Sequence, residues 1–199
     1  MRILVVGAEG TVGRAAVAEL GRRHEIVKAG RKSGDVHVDV SDPASVRAMY
    51  AALGTVDAVV STAGHVHFGP LDKMTSDQFK SGLLDKLLGQ VNLVLLGHGH
   101  VAEGGSFTLT SGVLDRDPIR QGANAAAVNG ALGAFAKSAA IEMPRRQRIN
   151  VVSPGLLQES VQKYDGYFPG HEPVSSARVG LAFAKSVEGA ITGQVIIVE

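Results

Sequence analysis

The chain has no cysteine and no tryptophan among its 199 residues. The first absence excludes disulfides, thiolate chemistry and Cys-ligated zinc. It suits a reducing compartment, and a cytoplasmic protein is expected. An excess of one charge is missing too: the formal net charge is +1, with no long basic run. Nucleic acid is therefore not an expected partner. No apolar run is long enough to span a bilayer, and the first core strand begins at once, with no leader pattern before it. Neither a membrane nor a secretory route is expected. Tyrosine is scarce, at three residues: Tyr50, Tyr164 and Tyr167.

What is present is a 45% apolar chain, too hydrophobic for disorder and of a length for one domain, residues 1–199. Ile3 to Val6 is a run of four apolar residues, the pattern of a strand buried on both faces. Gly7, Gly10 and Gly13 follow, spaced G-x-x-G-x-x-G, and open directly into the helical pattern Arg14-Ala-Ala-Val-Ala-Glu-Leu20. Such a turn bends sharply at Gly7 and admits a phosphate at Gly10. At Gly13 it brings helix against strand. The unpaired N–H groups of the helix start then face the phosphate.

The rest of the chain alternates strand and helix. Strands are expected over 25–30, 36–40, 56–60, 105–110, 148–152 and 194–198. Helices are expected over 43–53, where Ser41-Asp42-Pro43 marks a start, and over 76–97, 123–142 and 175–186. The alternation predicts an α/β protein: a doubly wound parallel sheet of about seven strands, the Rossmann fold. Leu156 to Val174 is the least regular segment. It holds Tyr164, Tyr167, Phe168 and His171, and reads as a lid over a ligand cleft.

Five segments in this order resemble the short-chain dehydrogenase/reductase family across nearly the whole chain. Gly7, Gly10 and Gly13 resemble its cofactor turn, with Glu9, Thr11 and Val12 between them. Asp39-Val40 resembles the pair whose Asp contacts adenine. Ser61-Thr-Ala63-Gly64 stands where the family has Asn-Asn-Ala-Gly. Arg148-Ile-Asn-Val-Val-Ser-Pro154-Gly155, running on to Leu156, resembles the segment beside the nicotinamide. Thr192-Gly-Gln-Val195 resembles the entry to the last strand. The resemblance implies a nicotinamide cofactor, a small carbonyl or alcohol substrate, and a homodimer or homotetramer paired through the long helices.

The same resemblance implies four working side chains, Asn, Ser, Tyr and Lys, with Tyr and Lys spaced four apart. Here Ala125 falls at the Tyr position and Asn129 at the Lys position. The Asn position falls on Lys86, with Gly89 three residues on. Lysine and asparagine are thus exchanged between neighbouring helices, and Lys86 is expected to supply the positive charge from the opposite wall. Ser111 best matches the family's Ser, with Thr110 as an alternative. Tyr164 is a candidate proton donor, as are Tyr167 and Lys86 itself. Tyr50 lies on the wrong side of the cofactor.

After the second strand stands Arg31-Lys32-Ser33, where an acidic residue would repel a 2′-phosphate. Two cations and a hydroxyl suit that phosphate, so NADP(H) is expected over NAD(H). His65 and His67, like His98 and His100, lack a third ligand at metal-binding spacing, and no metal site is expected. Two functions follow: an NADP(H)-dependent oxidoreductase with non-standard catalytic residues, or a catalytically silent NADP(H)-binding sensor or regulatory protein.

Overall fold

The computed structural model describes residues Met1–Glu199. Strand β1 (Arg2–Val6) pairs in parallel with β2 (Glu25–Gly30) on one side and β4 (Val56–Ser61) on the other. With β3 (Val36–His37), β5 (Val101–Thr110), β6 (Arg148–Pro154) and β7 (Val195–Val198), the sheet runs β3-β2-β1-β4-β5-β6-β7, all parallel. The order reverses beside β1. In a doubly wound sheet, ligands bind at the carboxyl ends of the strands at such a reversal. The expected Rossmann architecture of seven strands is the one observed.

Period-2 alternation in β1 feeds two cores. Leu4 and Val6 enter a cluster with Val46, Met49 and Tyr50 of α2 (Pro43–Leu53), Leu93 of α4 (Gly89–Gly97), and Val128 and Leu132 of α5 (Ala123–Glu142). Ile3 and Val5 enter the opposite cluster, with Ala16 and Leu20 of α1 (Thr11–Leu20) and Val179 and Phe183 of α6 (Ser176–Glu188). Both faces of the sheet are covered, as an all-parallel sheet requires.

Several boundaries differ from expectation. Strand β3 stops at His37 rather than at residue 40. The Asp39 carboxylate accepts from the Ser41 N–H and hydroxyl, and the Asp39 N–H donates to Ser45 Oγ. These local bonds take the backbone out of the ladder. Strand β5 begins at Val101, not at 105, through an irregular register against β4. Strand β6 runs on to Pro154 and α6 to Glu188, while β7 begins one residue later than expected.

The long helix over 76–97 is continuous but not uniform. It begins as α3 (Ser76–Gly82), held by a capping box between Thr75 and Gln78. It then widens to a π-helix over Leu83–Leu88 before continuing as α4. A π segment inside an α-helix frequently marks a working site, and Lys86 lies in this one.

Candidate active site

The glycine turn is built as its spacing implies. Gly7 takes φ +83°, and a Cβ there would stand 2.9 Å from both the Ala63 nitrogen and Thr62 Oγ1. A Cβ on Gly13 would collide with the Gly7 carbonyl oxygen. The turn is closed by Gly10 N–H donating to Gly7 O at 3.0 Å. Helix α1 has no side-chain cap, and the N–H groups of Thr11, Val12 and Gly13 find no backbone acceptor. Three donors and the positive end of the helix dipole are thus available to a phosphate. Glu9 turns aside: its carboxylate pairs with Lys28 at 3.1 Å and its carbonyl accepts from Arg14.

At the end of β2, Arg31, Lys32 and Ser33 are all exposed. Arg31 pairs with Asp39 at 3.3 Å and reaches Asp85 at 3.6 Å, and Asp85 also meets His65 at 3.2 Å. Hydrogen bonds from Ser41, with Arg31 adding charge, hold the Asp39 carboxyl below its ordinary range. Val40 is buried against Gly89. At the end of β4, the Ser61 carbonyl accepts from Thr110 Oγ1 at 2.7 Å. Gly64, at φ +118°, lies against the Lys86 backbone, where a Cβ would stand 2.6 Å from the Lys86 Cα. Beyond β6, Gly155 N–H donates to Val198 O at 2.8 Å, and the Leu156 carbonyl accepts from Val174.

The structure brings Lys86, Asn129 and Ser111 together. Lys86 Nζ donates to Asn129 Oδ1 at 2.7 Å and to the Ser111 carbonyl at 3.1 Å. An ammonium has three donors, so one remains. Burial pushes the Lys86 amine down to about 8, against the opposing pull of Asp115. Gln90, fully buried on α4, grips the end of β5: its amide donates to Thr110 O and accepts from Thr110 N–H. This clamp fixes where Ser111 emerges. It also occupies the Thr110 backbone, while the Thr110 hydroxyl is committed to Ser61.

Ala125 is buried with Val113 and Leu114, and Val66, Phe68 and Phe168 pack against the three. The wall that would carry a tyrosine is therefore apolar. Tyr164 packs between Phe68 and Phe168, with centroids at 6.1 and 5.9 Å, and Tyr167 meets Phe68 edge-on at 6.1 Å. Both rings belong to the segment 156–174, which Leu157 and Val174 close with a bridge. Tyr50 is buried in the core and donates to the Leu93 carbonyl; burial pushes its phenol up. No three His, Asp or Glu side chains lie together as a metal would need. His100 stacks on Tyr50 at 5.2 Å.

Some residues of this site carry no motif. Asp115 accepts from the Ser111 and Ser153 hydroxyls, at 2.8 and 2.7 Å. Buried Asn124, beside Ala125, accepts from the His67 N–H and donates to the Phe79 carbonyl, tying the loop after β4 and helix α3 to α5. The only advance signal was proximity in sequence: Asp115 follows Ser111 by four residues. An open groove of about 660 Å³ lies elsewhere, between α1 and α6, and contains Thr11 but neither Ser111 nor Lys86.

The family model described as enoyl-(acyl carrier protein) reductase matches residues 7–199. An uncharacterized oxidoreductase of Methylorubrum extorquens is 30% identical over 160 residues, covering 78% of this chain and 62% of that one. The crystal structure of the protein lin1944 from Listeria innocua is 50% identical, covers all of both chains and superposes with a TM-score of 0.99. A small-chain dehydrogenase solved in complex with NADPH is 26% identical, covering this chain fully and 96% of the other, with a TM-score of 0.88. No helix is long and apolar enough to cross a membrane. The matched model, the parallel sheet and the glycine turn agree: the chain belongs to the short-chain dehydrogenase/reductase family.

Proposed function

We propose that the protein is an NADP(H)-dependent oxidoreductase of small carbonyl or alcohol substrates, working as a single domain of the reducing cytoplasm. The observation that carries this reading is the Lys86–Asn129 bond beside Ser111, at the same carboxyl end of the parallel strands as the glycine turn. A catalytic ammonium is kept, though it comes from the other helix.

The residues present fit the dinucleotide. The unpartnered N–H groups of Thr11, Val12 and Gly13 suit its pyrophosphate. Arg31, Lys32 and Ser33 suit a 2′-phosphate, Asp39 and Val40 the adenine, Ser61, Ala63 and Gly64 the adjoining ribose side, and Pro154, Gly155 and Leu156 the nicotinamide. When bound, the cofactor supplies or takes the hydride. Lys86 offers its remaining N–H to the substrate oxygen and stabilises negative charge developing there. Asn129 holds that ammonium in place. The segment 156–174 covers the substrate with Tyr164, Tyr167 and Phe168, and the seat of Tyr164 between Phe68 and Phe168 supports a binding part for that ring over a proton-donating one.

A homodimer or homotetramer accompanies this reading. Leu84, Leu88 and Leu95 are exposed along one stripe of the long helix, and Ile141 is 86% exposed on α5. Apolar side chains in such a stripe suit a helix-paired interface.

The test is NADPH fluorescence titration, followed by absorbance at the reduced nicotinamide band with a panel of aldehydes, ketones and quinones. Saturable binding with substrate-dependent absorbance loss is expected. Tight binding with no loss across the panel would instead favour the silent sensor.

A further inference from the structure

Asp115 sits at the centre of a polar cluster outside the Lys–Asn pair. The short 3₁₀ turn Val113–Asp115 folds it back under Ser111, its N–H donating to Gly112 O at 2.9 Å. One carboxylate oxygen accepts from Ser111 Oγ at 2.8 Å and from Ser153 Oγ at 2.7 Å. The other accepts from Arg116 at 2.8 Å, and Arg116 also donates to Ser153 Oγ at 2.7 Å. The Asp115 side chain is only 11% exposed. The strand ends of β5 and β6 are thus tied through one carboxylate.

An ionised carboxylate only accepts hydrogen bonds. At these distances both serine protons must point at Asp115. A hydroxyl has one proton, so Ser111 is left with lone pairs toward the cleft. It can accept from a substrate hydroxyl but cannot donate to a carbonyl oxygen while this bond stands. Lys86, which bonds the Ser111 carbonyl, keeps one N–H unspent nearby.

We propose that Asp115 is a positioning residue for the reaction: it commits the Ser111 proton and, through the serine that both groups bond, places its negative charge near Lys86, which makes Lys86 the donor to the substrate oxygen. This rests on the oxidoreductase reading above. The neighbours of Lys86 agree with it. Asn129 from α5 and the Ser111 carbonyl from the end of β5 are neutral acceptors. Asp85, on the same π segment, is taken up by Arg31 and His65. Asp115 is the carboxylate that opposes the effect of burial on the Lys86 amine.

The test reads Lys86 directly. Protein labelled with ¹³C at the lysine ε carbon is titrated by heteronuclear NMR through neutral and alkaline pH, with the Lys86 signal assigned by Lys86→Arg. In Asp115→Asn the Lys86 midpoint is expected to fall by about one unit. If the Asn variant does not fold, Asp115→Glu carries the test, because its carboxylate is displaced by a methylene and the midpoint must move with it. A Lys86 midpoint equal to that of the native protein, in whichever variant folds, overturns the proposal. NADPH titration of the native protein is run in parallel. Failure to bind there removes the oxidoreductase reading and leaves the Asp115–Lys86 result to be judged on its own.

Discussion

Lys86 and Asn129 meet at 2.7 Å between the π segment and α5. In the proposed reading each stands where the family resemblance implies the other residue type, so the exchange reverses which helix supplies the charge. Lys86→Ala is expected to lower kcat/KM for NADPH-dependent carbonyl reduction by about 10²–10³-fold, the usual cost of removing one donor to a developing oxyanion. The double exchange Lys86→Asn with Asn129→Lys should recover part of that loss, measured by steady-state kinetics.

The same amine sets a pH dependence. Its titration lies at about 8, against an ordinary 10.5. Reduction needs the ammonium, so kcat/KM is expected to be flat on the acid side and to fall as pH rises through about 8. Stability moves the other way. Between those two values the unfolded chain holds a proton that the folded chain has released, so this group adds stability as pH rises. A rate profile and a melting series across that window check both signs.

Gly13→Ala places a methyl group against the Gly7 carbonyl, which is backbone and cannot rotate away. The expected cost is about 1–3 kcal/mol, with loss of NADPH affinity because α1 is pushed off the turn. Gly130, on the exposed face of α5 with open space around its Cα, is the control: Gly130→Ala should leave the monomer's fold intact. Thermal melting and fluorescence titration separate the two.

Arg31 is shared between two carboxylates, Asp39 and Asp85. Arg31→Ala is expected to weaken NADPH by about tenfold or more while leaving NADH unaffected, since one charge-assisted contact is lost. Asp85→Asn removes one of the two carboxylates that hold the guanidinium and should tighten NADPH. Paired titrations with the two cofactors decide this; equal losses for both in Arg31→Ala would count against a 2′-phosphate contact.

Leu88→Glu with Leu95→Glu charges the exposed stripe of the long helix. A protein that assembles through this face should shift to monomer on analytical ultracentrifugation, with its fold retained by circular dichroism.

Much of the fold was legible because its signals are local. The apolar run Ile3–Val6, the glycine spacing after it and the Asp42–Pro43 helix start each act through neighbours in sequence, and the Asp42 carboxylate caps α2 as that start implies. The end of β3 was not legible, because it depends on Asp39 choosing Ser41 and Ser45 over a strand partner. The π widening was hidden as well. A six-residue stretch of Leu, Asp and Lys reads as an ordinary helix, and its widened geometry lies where Gly64 packs against Lys86 from another element.

Residue order alone determined the class of this molecule, since strand–helix alternation with a glycine turn admits one handed way of covering a parallel sheet. It also determined that no tyrosine is followed by a lysine four residues later. Only the folded chain decided which side chains meet beside Ser111. Lys86 and Asn129 are 43 positions apart and Asp115 and Ser153 are 38 apart. Contacts at such separation come from how strands and helices stack, not from spacing along the chain. The Ser111 proton points at Asp115, only four residues on, but the carboxylate is held there by a 3₁₀ turn and by Ser153 from β6, which is why the sequence could name the serine but not what it offers to a substrate.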